Sequence, residues 1–489
     1  MSSQVIDGLS PNLLWRRFYE ISQVPRPSKN EERIRLYLIN FAGHNNLEIK
    51  EDKTGNIVIQ VPPKPGFEKA QTIVLQSHID MVCEKNKETE HDFLNDPITL
   101  VRDGEWIKAD GTTLGADNGI GAAAALAVVQ DDSFNHGLIE LLFTVDEETG
   151  LTGVNNLEKG FITGETLLNL DTEEDGAFYV GCAGGVDTVG SYKIENEEIN
   201  KNFIPFSLFI SGLKGGHSGI NIADKRANAI KLIAFLLDKL KPFQYQLAYI
   251  QGGSKRNAIP REAEAVIFLN PDYDSKVRET INEFSLEAAL EFRTTDNGIK
   301  ITFEKKDSVD IKSAYKKEFT EKIINTLIAM PHGVVAMSSE IPELVETSTN
   351  LATINVVKNE LIIGTCQRSS IESEKNNIAR SIQALFELSK AAIELSDGYP
   401  GWQPKLDSKV LKLAAWVFTT LFSKKPEIKA VHAGLECGIL ADKYPGIDMI
   451  SFGPTIQGAH SPDERVKIHD VEKFYRLLVA ILEEISVPK

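Results

Sequence analysis

The stretch Thr72-Ile-Val-Leu-Gln-Ser-His78-Ile-Asp80-Met-Val82 opens with an apolar run too short for a helix and passes straight into a histidine and an aspartate. Residues 72–76 therefore predict a buried strand. Side chains alternate along an extended chain, so His78 and Asp80 share one side where that strand ends. Two similar runs, residues 57–61 and 139–145, lie on either side of an alanine-rich helical stretch, residues 121–129. Strand and helix in alternation predict an α/β sheet covered by helices, and such sheets carry their sites at the carboxyl ends of strands. Polar residues just past each run become the candidates for chemistry.

At 489 residues the chain is too long for one core, because cores stop growing at about 250–300 residues. Two domains are expected. Near residue 185 the pattern changes to strand 203–211, helix 225–240, strands 245–251 and 264–269, and helix 275–292. A partial second round follows, with helix 316–329, strands 351–357 and 361–367, and helix 373–395. This predicts an inserted domain of antiparallel sheet plus helices over residues 186–400. The turn-rich segment Ser396-Asp-Gly-Tyr-Pro-Gly-Trp402 then reads as a linker back to the first domain. The catalytic domain is expected to comprise residues 1–185 and 401–489, with a buried strand at 447–452.

Hydrophobic residues make up 42% and charged residues 25% of the chain, the composition of a folded protein. The excess of 70 acidic over 53 basic side chains gives a formal charge of −17. Such a surface repels phosphate backbones and argues against nucleic acid as the main partner, while bound divalent cations would reduce the excess. No apolar run approaches the ~18 residues of a membrane span, and Met1-Ser2-Ser3-Gln4 shows no signal-peptide core. A cytoplasmic protein without a membrane partner is expected. Cys83, Cys182, Cys366 and Cys437 form no CxxC pair, so they predict neither a thiolate zinc site nor a disulfide framework.

Taken singly, the polar candidates have bland readings. A bare His-x-Asp is usually a surface pair, although a carboxylate beside a histidine can also orient a metal ligand. In Leu114-Gly-Ala-Asp117-Asn-Gly-Ile-Gly121, Asp117 looks like a helix N-cap. Asp146-Glu147-Glu148 could be a solvated turn, yet adjacent acids repel unless a cation or proton separates them. Asp171 follows strand 166–170, and His460 lies in the loop Gly458-Ala-His460-Ser-Pro-Asp-Glu464. Together, His78, Asp117, Glu148, Asp171 and His460 supply the nitrogen and oxygen donors that zinc or manganese accepts. Three carboxylates nearly balance two divalent ions, and the remaining positive charge would stabilise a hydroxide.

These motifs resemble the two-metal metallopeptidase family that includes aminoacylase, succinyl-diaminopimelate desuccinylase, the carboxypeptidase-G-like enzymes and carnosinase. The likeness covers nearly the whole chain. The segments starting at Ser77 and Thr113, with Asp146-Glu-Glu-Thr-Gly-Leu-Thr-Gly153, look like its dipeptidase branch. The resemblance implies a zinc-exopeptidase-like mixed sheet sandwiched by helices, with an inserted α+β lid domain. It also implies that Asp117 bridges two metals, that His78 and Asp171 complete one site, and that Glu148 and His460 complete the other. Asp80 would orient His78, Glu147 would be the general base, and the Asp117–Asn118 peptide would be cis. In the lid, His217 of Gly215-Gly-His217-Ser-Gly219 would reach the substrate carbonyl, Arg368 would hold the substrate carboxylate, and Asn257 is a further substrate-binding candidate. The metals would be two divalent ions, zinc first, with manganese or cobalt as alternatives. The expected activity is hydrolysis of dipeptides, preferentially Xaa-His, by a metal-bound hydroxide, and the family allows a homodimer. An N-acyl amino acid deacylase is the nearest rival, and a non-catalytic binding protein on this fold the more distant one.

Overall fold

A computed structural model describes residues 3–307 and 309–487; Met1 and Ser2, read above for a leader, lie outside the described residues. The chain folds as two compact units. The first comprises Met1–Gly181, Pro404–Ala430 and Leu435–Lys489, and the second Cys182–Gln403 with Val431–Gly434. Among the described residues, no helix is long and apolar enough to cross a membrane.

The first unit is organised by a mixed eight-stranded sheet. Its spatial order is Glu48–Glu51, Ile57–Val61, Ile139–Thr144, Ile73–His78, Thr166–Asn169, Asp448–Ser451, Ala177–Cys182 and Glu427–Val431. Strands Ile139–Thr144, Ile73–His78, Thr166–Asn169 and Asp448–Ser451 run parallel. Three of these, Ile139–Thr144, Ile73–His78 and Thr166–Asn169, are buried at every residue. They are rich in apolar residues because parallel strands are covered on both faces, and the polar residues among them, such as Gln76, Thr144 and Asn169, are buried too. Parallel alignment also brings their carboxyl ends to one edge, and with them the polar residues that follow.

Helix Ala116–Val128 is buried along nearly its whole length, as expected of a helix without a polar face. Its small side chains permit close packing. A Cβ on Gly121 would stand 2.5 Å from the backbone oxygen of Leu170, closer than real Cβ contacts allow. The terminal helix Ile468–Ser486 is amphipathic instead: Val471, Phe474, Tyr475, Leu478, Ile481 and Leu482 repeat at helical spacing on its buried face.

The second unit carries an antiparallel sheet in the order Lys300–Lys305, Ile204–Ser211, Ala263–Leu269, Gln246–Gly252, Val345–Val357, Glu360–Ser369, Gly184–Lys193 and Ala392–Leu395; Gly333–Met337 also pairs with Val345–Val357. Along Ile204–Ser211 the buried residues are Phe206, Leu208 and Ile210, the alternation of a strand with one covered face. They join Ile230, Ile233 and Leu237 of helix Ala229–Lys239 in the core. Asn228 caps that helix by accepting from the N–H groups of Ile230 and Lys231.

One predicted element is corrected. The helix expected over residues 373–395 ends at Leu388, and Ala392–Leu395 is a strand paired with Gly184–Lys193. Lys390 takes a positive φ of 61° there and turns the chain out of the helix. The apolar pattern of Ala391-Ala-Ile-Glu-Leu395 fits either element, so pairing with the sheet decides it.

Candidate functional site

In the first unit, His78 is the last residue of its strand and is buried. Its Nδ1 lies 3.3 Å from Asp80 Oδ1, while Nε2 lies 3.0 Å from Asp117 Oδ1 and 3.4 Å from Asp171 Oδ1. The other oxygen of Asp117, Oδ2, is 3.1 Å from Nε2 of His460, which is itself 3.0 Å from Glu148 Oε2. Asp117 is thus shared by two groups, His78 with Asp117 and Asp171, and Asp117 with Glu148 and His460. Within each group the ligand-type atoms lie within 4.8 Å of one another.

Local folding explains how Glu147 and Glu148 arrive here. Asp146 adopts a positive φ of 48°, and its carboxylate accepts hydrogen bonds from the hydroxyls of Thr149 and Thr152. The chain then turns so that both following N–H groups point at Asp80: Glu147 N donates to Oδ1 at 3.0 Å and Glu148 N to Oδ2 at 3.2 Å. Ser28 adds a third donor to Asp80 at 2.8 Å.

The cap reading of Asp117 does not hold. The N-cap position is Gly115, and Asp117 sits at φ −79° and ψ 111°, outside helical geometry, with the Asp117–Asn118 peptide in cis. Its carboxylate faces the two histidines rather than the helix start. The free N–H groups of this turn are served by a residue that motif reading quoted but gave no role. Glu464 accepts from Leu114, Gly115, Ala116 and Asp117 at 2.7–3.2 Å. Gly115 is required at this turn: its φ is +69°, and a Cβ would meet the Arg26 guanidinium at 2.5 Å. Arg26, also missed, donates to the carbonyls of Ile79, Asp80 and Gly115 and ties the two segments together.

Electrostatics reflect the crowding of acids. Burial pushes Asp171 up to about 6, against His78 and with help from Asp117 and Glu148. Burial likewise raises Glu147 well above the carboxylate range, opposed by His78 and reinforced by Asp171, Glu436 and Glu148. Burial also lifts Glu173 to about 8, aided by Asp117 and Asp171. For Asp117 burial acts in the same direction but is outweighed by His460 and His78, and its pKa falls. His460 is held at about 11 by hydrogen bonds to Asp117 and Glu148. Among the described residues, buried Glu148 Oε1 has no hydrogen-bond partner, and Asp171 Oδ1 has only the His78 ring, 3.4 Å away. Unpartnered anionic oxygens beside imidazole nitrogens are the donor set of a zinc-type cation.

In the second unit, burial and then the nearby Arg368 charge push His217 down to about 4. Its Nδ1 accepts from the N–H groups of Gly219 and Ile220, each at 3.2 Å, so the neutral ring carries its proton on Nε2. Arg368 is buried and donates to two neutral hydroxyls, Tyr399 Oη at 2.6 Å and Ser218 Oγ at 3.3 Å. Asn257 is exposed; its carbonyl accepts the Ser218 N–H, and with His217 it lines a cavity of about 860 Å³. The excursion Val431–Gly434 brings in His432, whose Nε2 is 2.7 Å from Ser348 Oγ. Sequence reasoning had no signal for it, since neither its composition nor its periodicity differs from its surroundings.

Fold and family match together make the chain a peptidase. A family model of peptidase family M20/M25/M40 matches residues 74–484, and the chain belongs to that family. It is 40% identical to the cytosol non-specific dipeptidase of Escherichia coli K12, over 98% of this chain and 99% of the relative. Its structure is similar to that of the aminoacylhistidine dipeptidase of Vibrio alginolyticus, with a TM-score of 0.90, 42% identity and 98% of each chain covered. An aminopeptidase of Bacillus cereus shares the fold at a TM-score of 0.56 and 18% identity, over 98% of this chain and 99% of the neighbour.

Replacing Glu464 with glutamine turns an amide N–H₂ toward N–H donors and leaves part of the Leu114–Asp117 turn unserved. Glu464→Gln is expected to cost about 1–3 kcal/mol of stability, measured by denaturant unfolding. An unchanged unfolding midpoint would show that the turn does not depend on this carboxylate.

Proposed function

We propose that this peptidase is a metal-dependent, cytoplasmic dipeptidase that cleaves small unblocked dipeptides, with preference for a C-terminal histidine. The observation that carries the reading is Asp117, which belongs to two three-residue groups of zinc-type donors, one oxygen facing His78 and the other His460. The names of the relatives from Escherichia coli and Vibrio alginolyticus support the substrate class.

The residues present fit two divalent ions, one held by His78, Asp117 and Asp171 and the other by Asp117, Glu148 and His460. Zinc, manganese and cobalt all accept this nitrogen and oxygen set. When bound, such ions supply Lewis acidity toward a carbonyl and lower the pKa of water. Asp80 keeps the His78 ring in orientation from its Nδ1 side. Glu147 takes a proton from the attacking water and returns it to the leaving amine. Its burial beside other acids raises its proton affinity, which suits that exchange. The Nε2–H of His217 donates to the carbonyl oxygen as negative charge develops there. Arg368, buried against neutral hydroxyls, takes the substrate's terminal carboxylate through a charge-assisted contact.

Strong chelation is expected to abolish dipeptide cleavage, and zinc, manganese or cobalt to restore it. Full activity in protein shown by elemental analysis to be metal-free would sink the reading. On a panel of Xaa-His dipeptides, tripeptides and N-acetyl amino acids, the free dipeptides should be preferred, whereas faster cleavage of N-acetyl amino acids would select a deacylase. Glu147→Gln should bind metal normally and lose about 10²–10⁴-fold in kcat; normal turnover would remove Glu147 from proton transfer. Arg368→Ala should cost about 2–5 kcal/mol in kcat/KM on dipeptides and leave their poorly cleaved C-terminal amides nearly unaffected. An equal loss on acids and amides would remove the carboxylate contact.

A further inference from the structure

Beneath the acids and histidines of the first unit lies a polar network that the mechanism above does not use. Thr144, Gln76, Asn169 and Ser451 stand at or near the carboxyl ends of four adjacent parallel strands. All four are buried, in a layer where apolar side chains would otherwise pack. Ser451 Oγ donates to Asn169 Oδ1, and Asn169 Nδ2 donates to Gln76 Oε1 at 2.5 Å. Gln76 Nε2 donates to Glu436 Oε2 at 2.6 Å, and Thr144 Oγ1 donates to the same oxygen at 2.8 Å. Asn169 Oδ1 also accepts the N–H of Asp171 at 3.3 Å. The network therefore ends at Glu436, the first residue of helix Glu436–Lys443.

We propose that Glu436 is a positioning residue of the catalytic site: through Gln76, Thr144 and Asn169 its carboxyl fixes the strand ends that carry His78, Glu147 with Glu148, and Asp171. The proposal rests on the metal-dependent reading given above.

The spacing supports it. Gln76 precedes His78 by two residues and Asn169 precedes Asp171 by two. Gln76 and His78 lie within one strand, where that spacing puts both side chains on one face; Asp171 lies just past its strand and is tied to Asn169 through its own N–H. Thr144 is paired in register with His78 and leads directly into Asp146-Glu147-Glu148. A loose anchor would let three strand ends shift independently, and metal sites tolerate little such movement. Glu436 is 1% exposed, and both donors to its Oε2 are neutral. Its other oxygen, Oε1, has no hydrogen-bond partner, and burial pushes the carboxyl up to about 7. What the network takes from Glu436 is acceptance of two hydrogen bonds at one oxygen, which a glutamine carbonyl also provides.

The test compares Glu436→Ala, Glu436→Gln and Thr144→Val with the wild-type holoenzyme. Each is measured for kcat and KM on a Xaa-His dipeptide and for zinc affinity by chelator competition, with circular dichroism to establish folding. Glu436→Ala should lose about 10–100-fold in kcat and in zinc affinity, the usual scale for residues supporting metal ligands, while KM stays near the wild-type value. Glu436→Gln should recover most of both losses. Thr144→Val, which removes one donor with little change in volume, should show a smaller loss in the same direction and decides the matter if Glu436→Ala does not fold. Wild-type kcat and zinc affinity in a folded Glu436→Ala protein would overturn the proposal, as would a Glu436→Gln enzyme no better than Glu436→Ala. These failures are distinct from failure of the dipeptidase reading, which would appear in the wild-type protein as missing metal dependence or missing dipeptide cleavage.

Discussion

The Asp80 carboxylate is the interaction on which the arrangement of the first unit turns. It is fully buried, and burial alone would drive it toward the neutral acid. The charge of His78, whose Nδ1 is 3.3 Å away, the Glu147 N–H and the Ser28 hydroxyl reverse that and hold it at about 2. A carboxylate kept ionised by partners on several sides acts as a cross-link between them. Here those partners are the ring of His78, the turn that delivers Glu147 and Glu148, and the segment containing Ser28. The histidine ring and the turn that delivers the two glutamates thus meet at one carboxylate.

Around that anchor the protein gathers more negative charge than its own cations balance. Asp117, Glu147, Glu148, Asp171 and Glu173 stand close to His78 and His460. The response is visible in how the acids divide: Asp117 falls below the ordinary range while Asp171 and Glu173 rise to about 6 and about 8. Neighbouring carboxylates whose proton affinities are pushed apart in this way are poised for cations or for proton transfer. In the second unit the surroundings of Arg368 have the opposite polarity. Burial and Arg368 hold both His217 and His432 neutral, with Arg368 as the local positive charge.

Much of this was legible in the residues. The runs at 57–61, 72–76 and 139–145 appear as strands within one or two residues of their expected bounds. Each is largely buried, and that burial writes itself into sequence as a short run dominated by apolar residues. His78, Glu148 and Asp171 were visible because each follows such a run closely. Glu464, Arg26 and Glu436 were not. Their partners are backbone groups, or side chains as far as 360 positions away in the chain, and no local pattern distinguishes an acid aimed at a peptide N–H from one aimed at water. Tyr399 was read as part of a linker, yet its hydroxyl receives a hydrogen bond from Arg368.

By itself, then, the amino-acid sequence determined the α/β character of the first unit, the strand-and-helix style of the second and the placement of acids and histidines after strand ends. All of these follow from periodicity and from short-range backbone preference. Only the tertiary structure decided whether residues 392–395 continue a helix or add a strand, and that Val431–Gly434 belongs to the second unit. It also decided that Asp117 faces two histidines instead of capping its helix. These outcomes depend on which groups far apart in the chain come to share a hydrogen bond or a buried charge. Distance in space, which a linear pattern does not encode, sets the strength of both.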